Sequence, residues 1–398
     1  MMRLARVTGA LLLAMLAGCV QPPQQTSSTP PAAAPAPAIP FDQAILAAGD
    51  AVFMAASLAG PRTVVIDPLV NGVTGEQSTS TRALGERLTA LARDRYPQMQ
   101  VRPFAPEAVA QAPLVMVGTL TPVNSANQTA GKREMYRFCL VLADLKTGRV
   151  IAKKVVWATL DGVDGTPLRA FAESPAWTDD AQIKSYIDTC QSVKVGDPIP
   201  AIYLDGLVTA AILNQATQAY DAGRYPEALG LYQTARSSPR GEQLRTYNGI
   251  YLANSRLGSP AATETSFGDL VDFGLRNGRL AVKLLFRPAS TAFVAEPRVA
   301  GAYDMWLRQI AARGAASRAC LQVTGHTSAS GAAALNERLS VLRAEAVKAR
   351  LERDSPTLSG RVVATGAGGK QPLVGTGADD GTDALDRRVE FKVVPACT

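Results

Sequence analysis

The stretch that decides the fold of this protein is CLQVTGHTSASGAAALNERLSVLRAEAVKARL, which covers residues 320–351. Its beginning alternates apolar Leu321 and Val323 with polar Gln322 and Thr324, and this period of two predicts a half-buried β-strand. A turn rich in Gly and Ser follows. The remainder predicts a long helix, with one apolar face made mostly of Leu335, Leu339, Leu342, Val347 and Leu351.

Further elements lie on both sides of this stretch. An apolar strand and a helix precede it from Ala281 onward, and the residues from Arg361 to Gly366 predict a short strand. After a loop, the residues from Asp386 to Val393 predict the last strand. The order strand, helix, strand, helix, strand, strand indicates an α+β domain at the end of a multidomain chain.

Three motifs in this part follow one another: the turn Gly325-His326-Thr327, the Leu-Ser-x-x-Arg-Ala pattern of residues 339–344, and the pair Arg387-Arg388 that begins the last strand. With the order of the elements, they strongly resemble the OmpA C-terminal-like domain, which Pal and MotB share. The resemblance implies that residues 281–398 form a βαβαβ domain with a mixed sheet. It also implies non-covalent binding of peptidoglycan.

The same resemblance implies a site for the diaminopimelate side chain of the stem peptide, which offers an ammonium and a carboxylate. Arg343 matches the family's arginine, and its planar guanidinium would hold the carboxylate with two parallel donors. The other residues expected at this peptidoglycan-binding site are Asn336, Leu339, Thr327 and Ser328.

Two positions depart from the family's pattern. The usual aspartate after the Gly-x-Thr turn is Ser328 here, and Arg287 stands near Phe286, where the first strand often carries an aspartate. A charged acceptor makes a hydrogen bond roughly twice as strong as a neutral hydroxyl does. We therefore expect binding that is weakened, shifted to another part of the ligand, or lost.

Residues 1–18 predict an export signal, because two arginines precede an apolar run that is too short for a transmembrane helix. The residues Leu16-Ala17-Gly18-Cys19 resemble the bacterial lipobox. This implies cleavage before Cys19 and lipidation of that residue by acyl chains such as palmitate. Val20, which stands where retained lipoproteins carry Asp, resembles the outer-membrane class. Residues 19–40, rich in Pro and Ala after Cys19, are interpreted as a flexible tether.

Residues 41–165 predict an α/β domain. A helix is expected from Phe41 to Leu58, a strand at 63–66, a helix that Thr79 or Ser80 caps, and strands at 100–103, 114–120, 136–145 and 150–159. The run VIDPLVNG at 65–72, the helix start and the hairpin at 144–148 resemble the N-terminal domains of CsgG-, LpoB- and FlgO-like envelope lipoproteins. The resemblance implies a sandwich-like, non-catalytic assembly module. Asp67, which ends a strand before Pro68, is interpreted as a turn residue rather than a catalytic acid.

Residues 166–202 are interpreted as a connecting segment with a short helix near Asp180. In the all-α segment at 203–280, the run AYDAGRYPEALGLYQTA at 219–235 resembles a tetratricopeptide repeat. There Gly223 would make the turn between two helices and Ala228 would let them approach. A degenerate second copy follows 35 residues later, at Gly258 and Phe267. The segment predicts either a packing unit or a groove for envelope proteins.

The composition excludes several classes of function. His326 is the only histidine, so His-rich metal centres are excluded. The 41 Lys and Arg against 34 Asp and Glu give a net charge of +7, which is too mild for a nucleic-acid-binding surface. No nucleophile has a base placed by a motif, and no paired carboxylates occur in a recognisable setting. We expect neither catalysis nor a cofactor or metal ion.

The chain has five cysteines, and the lipidation of Cys19 would leave four. In an oxidising periplasm four cysteines suggest two disulfides, for which three connectivities exist. The favoured pairing joins two residues of the C-terminal domain and two that precede the repeats: Cys320 with Cys397, and Cys139 with Cys190.

These patterns predict a non-enzymatic, lipid-anchored protein on the periplasmic face of the outer membrane of a Gram-negative bacterium. It would link that membrane to peptidoglycan and present its other modules to protein partners. The alternative is an assembly or regulatory factor of a secretion, pilus or wall-synthesis machine, in which the C-terminal domain has lost or altered wall binding.

Overall fold

The computed structural model describes residues 37–57, 60–111, 113–295, 301–377, 382–394 and 397. These residues belong to one unit of the chain, which begins at Pro35. The predicted export signal, Cys19 and the tether up to residue 36 lie outside the described residues. Within the described part, no helix combines the length and the apolar character that crossing a membrane requires.

The chain alternates helices with strands and then runs through a purely helical stretch before a second set of strands. The helices are α1 (Phe41–Ser57), α2 (Thr79–Arg95), α3 (Pro106–Val109), α4 (Arg169–Ala172), α5 (Ala181–Gln191), α6 (Ala201–Asp205), α7 (Leu207–Asp221), α8 (Tyr225–Ser237), α9 (Leu244–Arg256), α10 (Pro260–Arg276), α11 (Tyr303–Ala316) and α12 (Ala333–Asp354). The strands are β1 (Arg62–Ile66), β2 (Val70–Asn71), β3 (Met99–Arg102), β4 (Leu114–Val123), β5 (Met135–Asp144), β6 (Arg149–Ala158), β7 (Arg279–Leu285), β8 (Cys320–Gly325), β9 (Val362–Gly366) and β10 (Arg388–Val394).

The N-terminal sheet has the order β3-β1-β4-β5-β6, and β2 pairs with β4. β1 is parallel to β3 and β4, whereas β5 and β6 are antiparallel to their neighbours. Successive side chains of a strand point to opposite faces. In β4, Leu114 and Met116 therefore pack with α1 and α2, while Val115 and Val117 pack with α5 and α7. Helices thus cover both faces of this mixed sheet.

Helix α2 begins at Thr79, so its N-cap is the preceding residue, Ser78. The prediction of Thr79 or Ser80 as the N-cap was wrong. Ser78 is the N-cap, and its hydroxyl accepts a hydrogen bond from the Thr81 amide (3.3 Å). The Thr81 hydroxyl in turn accepts one from the Ser78 amide (2.8 Å). This reciprocal pair satisfies two donors at the helix start, which a cap at Thr79 or Ser80 would leave without these partners.

The residues interpreted as a connecting segment contribute α4, α5 and α6. Asp180 caps α5 by accepting hydrogen bonds from the amides of Gln182 and Ile183, both at 3.0 Å. Cys190 at the end of α5 forms a disulfide with Cys139 of β5, with their Cα atoms 6.1 Å apart. This segment is therefore part of the layer that covers one face of the N-terminal sheet.

Helices α7 to α10 pack one against the next. Gly223 lies between α7 and α8 with φ at +77°, a conformation that glycine adopts without steric cost. Ala228 is fully buried, and Tyr232 packs so closely on Gly249 that a Cβ there would come within 2.2 Å of its ring. At the far end of the stack, Phe267 of α10 lies parallel to the Trp306 ring of α11 at 5.4 Å.

The C-terminal sheet has the order β7-β10-β8-β9, in which β8 and β9 are parallel and the other pairs antiparallel. The order of elements expected from Ala281 to Val394 is present, and Cys320 forms a disulfide with Cys397 (Cα atoms 5.3 Å apart). The apolar face expected for α12 is buried only in part, because Leu335 and Leu342 are 68% and 41% exposed. The residues of α12 that pack in the core are Ala344, Val347 and Leu351, which lie in the second half of the helix.

Two buried contacts join the N-terminal part to β7. The backbone at Ala176 bridges Val282, flanked by hydrogen bonds from the Trp177 amide to the Ala281 carbonyl and from the Lys283 amide to the Pro175 carbonyl, both at 2.8 Å. The Lys283 ammonium pairs with the Glu76 carboxylate, and both side chains are buried. It also donates to the Phe171 carbonyl (3.0 Å) and lies over the Trp177 ring. β7 is thus held from its outer edge.

Candidate functional site

A cavity of about 470 Å³ opens beside the loop that follows β8 and the first turns of α12. We call it the candidate cavity. It is bordered by all five residues that the resemblance predicts for a ligand site, namely Thr327, Ser328, Asn336, Leu339 and Arg343. The strand, the loop and the helix follow directly in the sequence, so their local order already brings these residues to one end of β8.

Asn336 fixes the shape of the loop at the mouth of this cavity. Its side-chain amide donates hydrogen bonds to the carbonyls of Ser330 (2.7 Å) and Ser328 (3.3 Å). The hydroxyls of Ser328 and Ser330 lie 3.2 Å apart and share a hydrogen bond. Asn336 therefore acts on the loop backbone, and through it on the position of Ser328.

Thr327 carries an unsatisfied hydroxyl at the border of the cavity. The residue is 3% exposed, and its Oγ1 has no hydrogen-bond partner among the described residues. Its backbone amide, in contrast, donates to the Gly368 carbonyl at 3.0 Å. Leaving a buried hydroxyl unpaired costs about 1–3 kcal/mol, so such a group indicates where a ligand or a water supplies the missing bond.

Arg343 is fully buried and ties three backbone segments together. Its Nε donates to the Ser290 carbonyl (2.9 Å), its Nη1 to the His326 carbonyl (2.8 Å) and its Nη2 to the Arg287 carbonyl (2.9 Å). The guanidinium also lies 5.2 Å from the centre of the Phe286 ring. It therefore holds the loop after β7 and the loop after β8 against α12, beneath the cavity.

A comparison with known protein families agrees with this arrangement of β8, the loop that follows it and α12. Residues 301–384 match the model of the OmpA family. The C-terminal domain is therefore OmpA-like, and domains of this kind are commonly envelope-associated, bind peptidoglycan and catalyse no reaction. No curated protein matches the chain.

The OmpA-like domain has an apolar wall at the cavity, of which the sequence analysis predicted only Leu339. Leu335, Leu339 and Leu342 border the cavity, and the first and last of them are exposed. Their spacing of three and four residues predicts one apolar face, and this spacing does not separate a cavity wall from a core face. The signal that distinguishes the two cases is the composition of the helix, because its smaller residues Ala344 and Val347 already fill the space against the sheet.

Charges around the cavity come from arginines on two elements. Arg338 of α12 and Arg387 before β10 border it together with Arg343. Arg387 is buried, and its Nε donates to the Phe286 carbonyl at 3.2 Å. Arg287 contributes its backbone carbonyl, which accepts a hydrogen bond from Arg343.

His326 lies below the site rather than in it. It is buried, and burial together with the nearby Arg388 lowers its pKa to about 4, against a smaller opposite effect of Glu390. Among the described residues neither ring nitrogen has a hydrogen-bond partner. The imidazole is therefore neutral at physiological pH and packs beneath the loop.

Two features of the N-terminal α/β part could also suggest a functional site: the buried Asp67 and a groove at the ends of β1 and β3. Asp67 is buried, its carboxylate accepts a hydrogen bond from the Tyr203 hydroxyl (2.9 Å), and burial raises its pKa to about 7. A groove of about 780 Å³ lies nearby at the ends of β1 and β3, and its lining carries both basic residues, Arg82 and Arg102, and acidic residues, Glu86 and Asp221. Within the described ranges, no group of three acidic, His or Cys residues is placed to hold a metal ion.

Another segment of the chain covers helices α7 to α9, where the sequence predicts a groove for partners. Residues Arg169–Asp180, here called the internal segment, lie against α7, α8 and α9. The Glu173 carboxylate accepts from Tyr220 (2.5 Å) and from Arg256 (3.2 Å). Further along, Asn248 donates to the Ala176 carbonyl (2.9 Å) and the Leu244 amide donates to Asp180 (2.6 Å).

Proposed function

We propose that this protein is a non-enzymatic outer-membrane lipoprotein that binds peptidoglycan through the candidate cavity of its OmpA-like domain. The observation that carries the proposal is the buried Thr327 hydroxyl, which borders the cavity and has no partner in the described part of the chain. Its position beside the residues that match the family's ligand site gives that hydroxyl a role as a donor or acceptor to the stem peptide.

The anchor in this proposal is Cys19, acylated after cleavage of residues 1–18. One acyl chain holds a protein only reversibly, so stable attachment at the inner leaflet of the outer membrane requires the multiple acylation that a lipobox directs. A tether of about 20 residues, extended at about 3 Å per residue, would span about 60 Å. The OmpA-like domain would then reach the wall from the membrane surface.

The ligand in this proposal is the diaminopimelate part of the stem peptide. Leu335, Leu339 and Leu342 offer an apolar wall to its hydrocarbon chain, and Arg338 adds a positive charge at the rim. Ser328 supplies a neutral acceptor where the family has aspartate, so the ammonium would be held weakly. The expected affinity is therefore lower than that of an aspartate-bearing site.

The test is co-sedimentation of the full-length protein, in detergent micelles, with purified diaminopimelate-type peptidoglycan. Leu342→Arg places a charged side chain at the apolar wall and should abolish pelleting. Leu257→Arg is the matched control, because Leu257 is 42% exposed against 41% for Leu342 and lies in the repeats. Equal pelleting of both variants and the parent would place binding outside the cavity.

A second candidate function is that of an assembly or regulatory factor whose OmpA-like domain has given up the wall. The observation that favours it is Arg343, whose Nε, Nη1 and Nη2 each donate a hydrogen bond to a backbone carbonyl of the domain itself. The α/β module of residues 41–165 would then be the surface for protein partners. The same experiment separates the two functions, because this candidate requires that the parent stay in the supernatant.

A further inference from the structure

One loop of the OmpA-like domain lies behind Thr327 and Ser328, two residues that border the candidate cavity. This loop, residues 367–377, here called the rear loop, follows β9. Its Gly368 carbonyl accepts from the Thr327 amide (3.0 Å), and the Gly368 amide donates to the Ser340 hydroxyl (3.0 Å). At Gly369 an added Cβ would come within 2.8 Å of the Ser328 carbonyl oxygen. The first half of the rear loop thus supports Thr327 and Ser328 directly.

The second half of the rear loop is held by the N-terminal α/β part of the chain. Arg133 comes from the hairpin that joins β4 to β5. Its Nη2 donates to the Pro372 carbonyl (2.8 Å), and its backbone amide donates to the Gly375 carbonyl (3.0 Å). Arg133 is 3% exposed, and burial lowers the pKa of its guanidinium while Asp386 opposes that shift.

Asp386 completes the grip from inside the OmpA-like domain. Its carboxylate accepts hydrogen bonds from the amides of Val374 (2.9 Å) and Gly375 (2.8 Å). An arginine of one domain and an aspartate of the other therefore hold neighbouring residues of the rear loop, and both bind Gly375. A change at either one is expected to alter the loop that supports Thr327.

The side chains of two asparagines hold the hairpin that carries Arg133 by hydrogen bonds. The Asn124 side chain accepts from the amides of Ala126 (3.0 Å) and Gln128 (2.9 Å). The Asn127 side chain accepts from Arg137 and from the Trp157 ring, both at 3.3 Å, which fixes the hairpin tip to β5 and β6. The position of Arg133 is therefore set by the N-terminal sheet.

We propose that Arg133 is a positioning residue for peptidoglycan binding: the α/β part, through Arg133, sets the conformation of the rear loop and with it the affinity of the candidate cavity. The inference rests on the proposed function. Coupling between two sites is reciprocal, so wall binding at the cavity must also change the stability of the hairpin. A partner that moves the hairpin would tune attachment to the wall.

The first experiment measures binding of the full-length protein to peptidoglycan by co-sedimentation, with Arg133→Ala and Lys132→Ala. The neighbouring Lys132 is exposed and carries the same charge, so it controls for the loss of a positive charge in the hairpin. Arg133→Ala should weaken binding about tenfold, within the usual range of coupling between sites, whereas Lys132→Ala should leave it unchanged. Equal binding of the parent and Arg133→Ala would overturn the inference.

The second experiment uses the parent protein alone, so it does not depend on how a variant folds. Amide hydrogen exchange is followed with and without soluble peptidoglycan fragments. The inference requires slower exchange both in residues 326–331 at the cavity and in residues 124–134 of the hairpin. Protection confined to the cavity would overturn it. If the parent binds no peptidoglycan in either experiment, the proposed function itself fails, which is a distinct outcome.

Discussion

The candidate cavity of the OmpA-like domain and the groove expected in helices α7 to α9 are two places where the sequence predicts recognition of another molecule. In the cavity, the apolar Leu335 and Leu342 are exposed and the Thr327 hydroxyl has no partner in the described ranges. In the groove, the internal segment already meets the groove side chains Tyr220, Asn248 and Arg256.

The difference teaches that a repeat pattern indicates a binding surface without indicating what occupies it. Helices α7 to α9 contact the internal segment, which also touches β7 and the α/β part. In this protein these helices bind a segment of the same chain. Their contacts with the internal segment do not favour the prediction that they bind protein partners. The following experiments disturb either the filled groove or the open cavity.

The largest effect is expected from Lys283→Met, which removes one partner of the buried pair beside the internal segment. The variant leaves the Glu76 carboxylate buried without its cation, and breaking such a pair destabilises a protein by about 3–5 kcal/mol. Unfolding in urea, followed by circular dichroism, measures the change. The double variant Lys283→Met/Glu76→Met is the control and should recover most of the stability. A double variant as unstable as the single one would assign the loss to packing on Trp177 instead.

The next effect is the pH dependence that His326 adds beneath the cavity. Because its pKa is about 4 in the folded protein and about 6.5 when unfolded, the unfolded state binds more protons between these values. Stability should therefore fall as the pH falls from 6.5 to 4, by about 3 kcal/mol in total. The raised pKa of Asp67 acts in the opposite direction over this window, so the comparison is between the parent and His326→Gln. On going from pH 6.5 to pH 4, the stability of the variant should fall by about 3 kcal/mol less than that of the parent. Parallel curves would show that His326 does not titrate as stated.

Glu173→Gln tests the filled groove with a smaller change. The Arg256 guanidinium and the Tyr220 hydroxyl bind the carboxylate and, against the effect of burial, hold the pKa of Glu173 below its usual value. Losing charged hydrogen bonds of this kind should lower the free energy of unfolding by about 2 kcal/mol and speed amide exchange in residues 169–180. Glu227→Gln is the control, because its pair with Arg224 is exposed and contributes about 1 kcal/mol or less. Faster exchange in both variants would contradict a specific role for Glu173.

The smallest effect concerns the open cavity and raises affinity. Ser328→Asp restores a charged acceptor for an ammonium, which makes a hydrogen bond about twice as strong and should tighten peptidoglycan binding by about fivefold. Co-sedimentation measures it, with Ser359→Asp as a control for net charge at an exposed position of the same domain. Unchanged affinity of Ser328→Asp would mean that the ligand presents no ammonium at this point.

The sequence predicted the local elements well, because each depends on neighbours along the chain. The strand at Cys320, the Gly-x-Thr turn and the helix from Asn336 are contiguous, so the residues of the candidate cavity could be named from them. The apolar face of α12 could not be assigned correctly. Whether Leu335 and Leu342 are buried depends on how far the sheet extends beneath the helix, and no spacing within the helix records that.

The sequence by itself determined the order of elements, the residues at the end of β8 and the four cysteines that pair. The tertiary structure alone decided which surfaces stay open. It filled the repeat groove with residues 169–180, placed Lys283 against Glu76 across 207 positions of the chain, and brought Arg133 to a loop 239 positions away. The physical reason is that sequence patterns report on contacts between residues a few positions apart. The partners in these contacts lie far apart along the chain, so only the folded structure shows which residues meet.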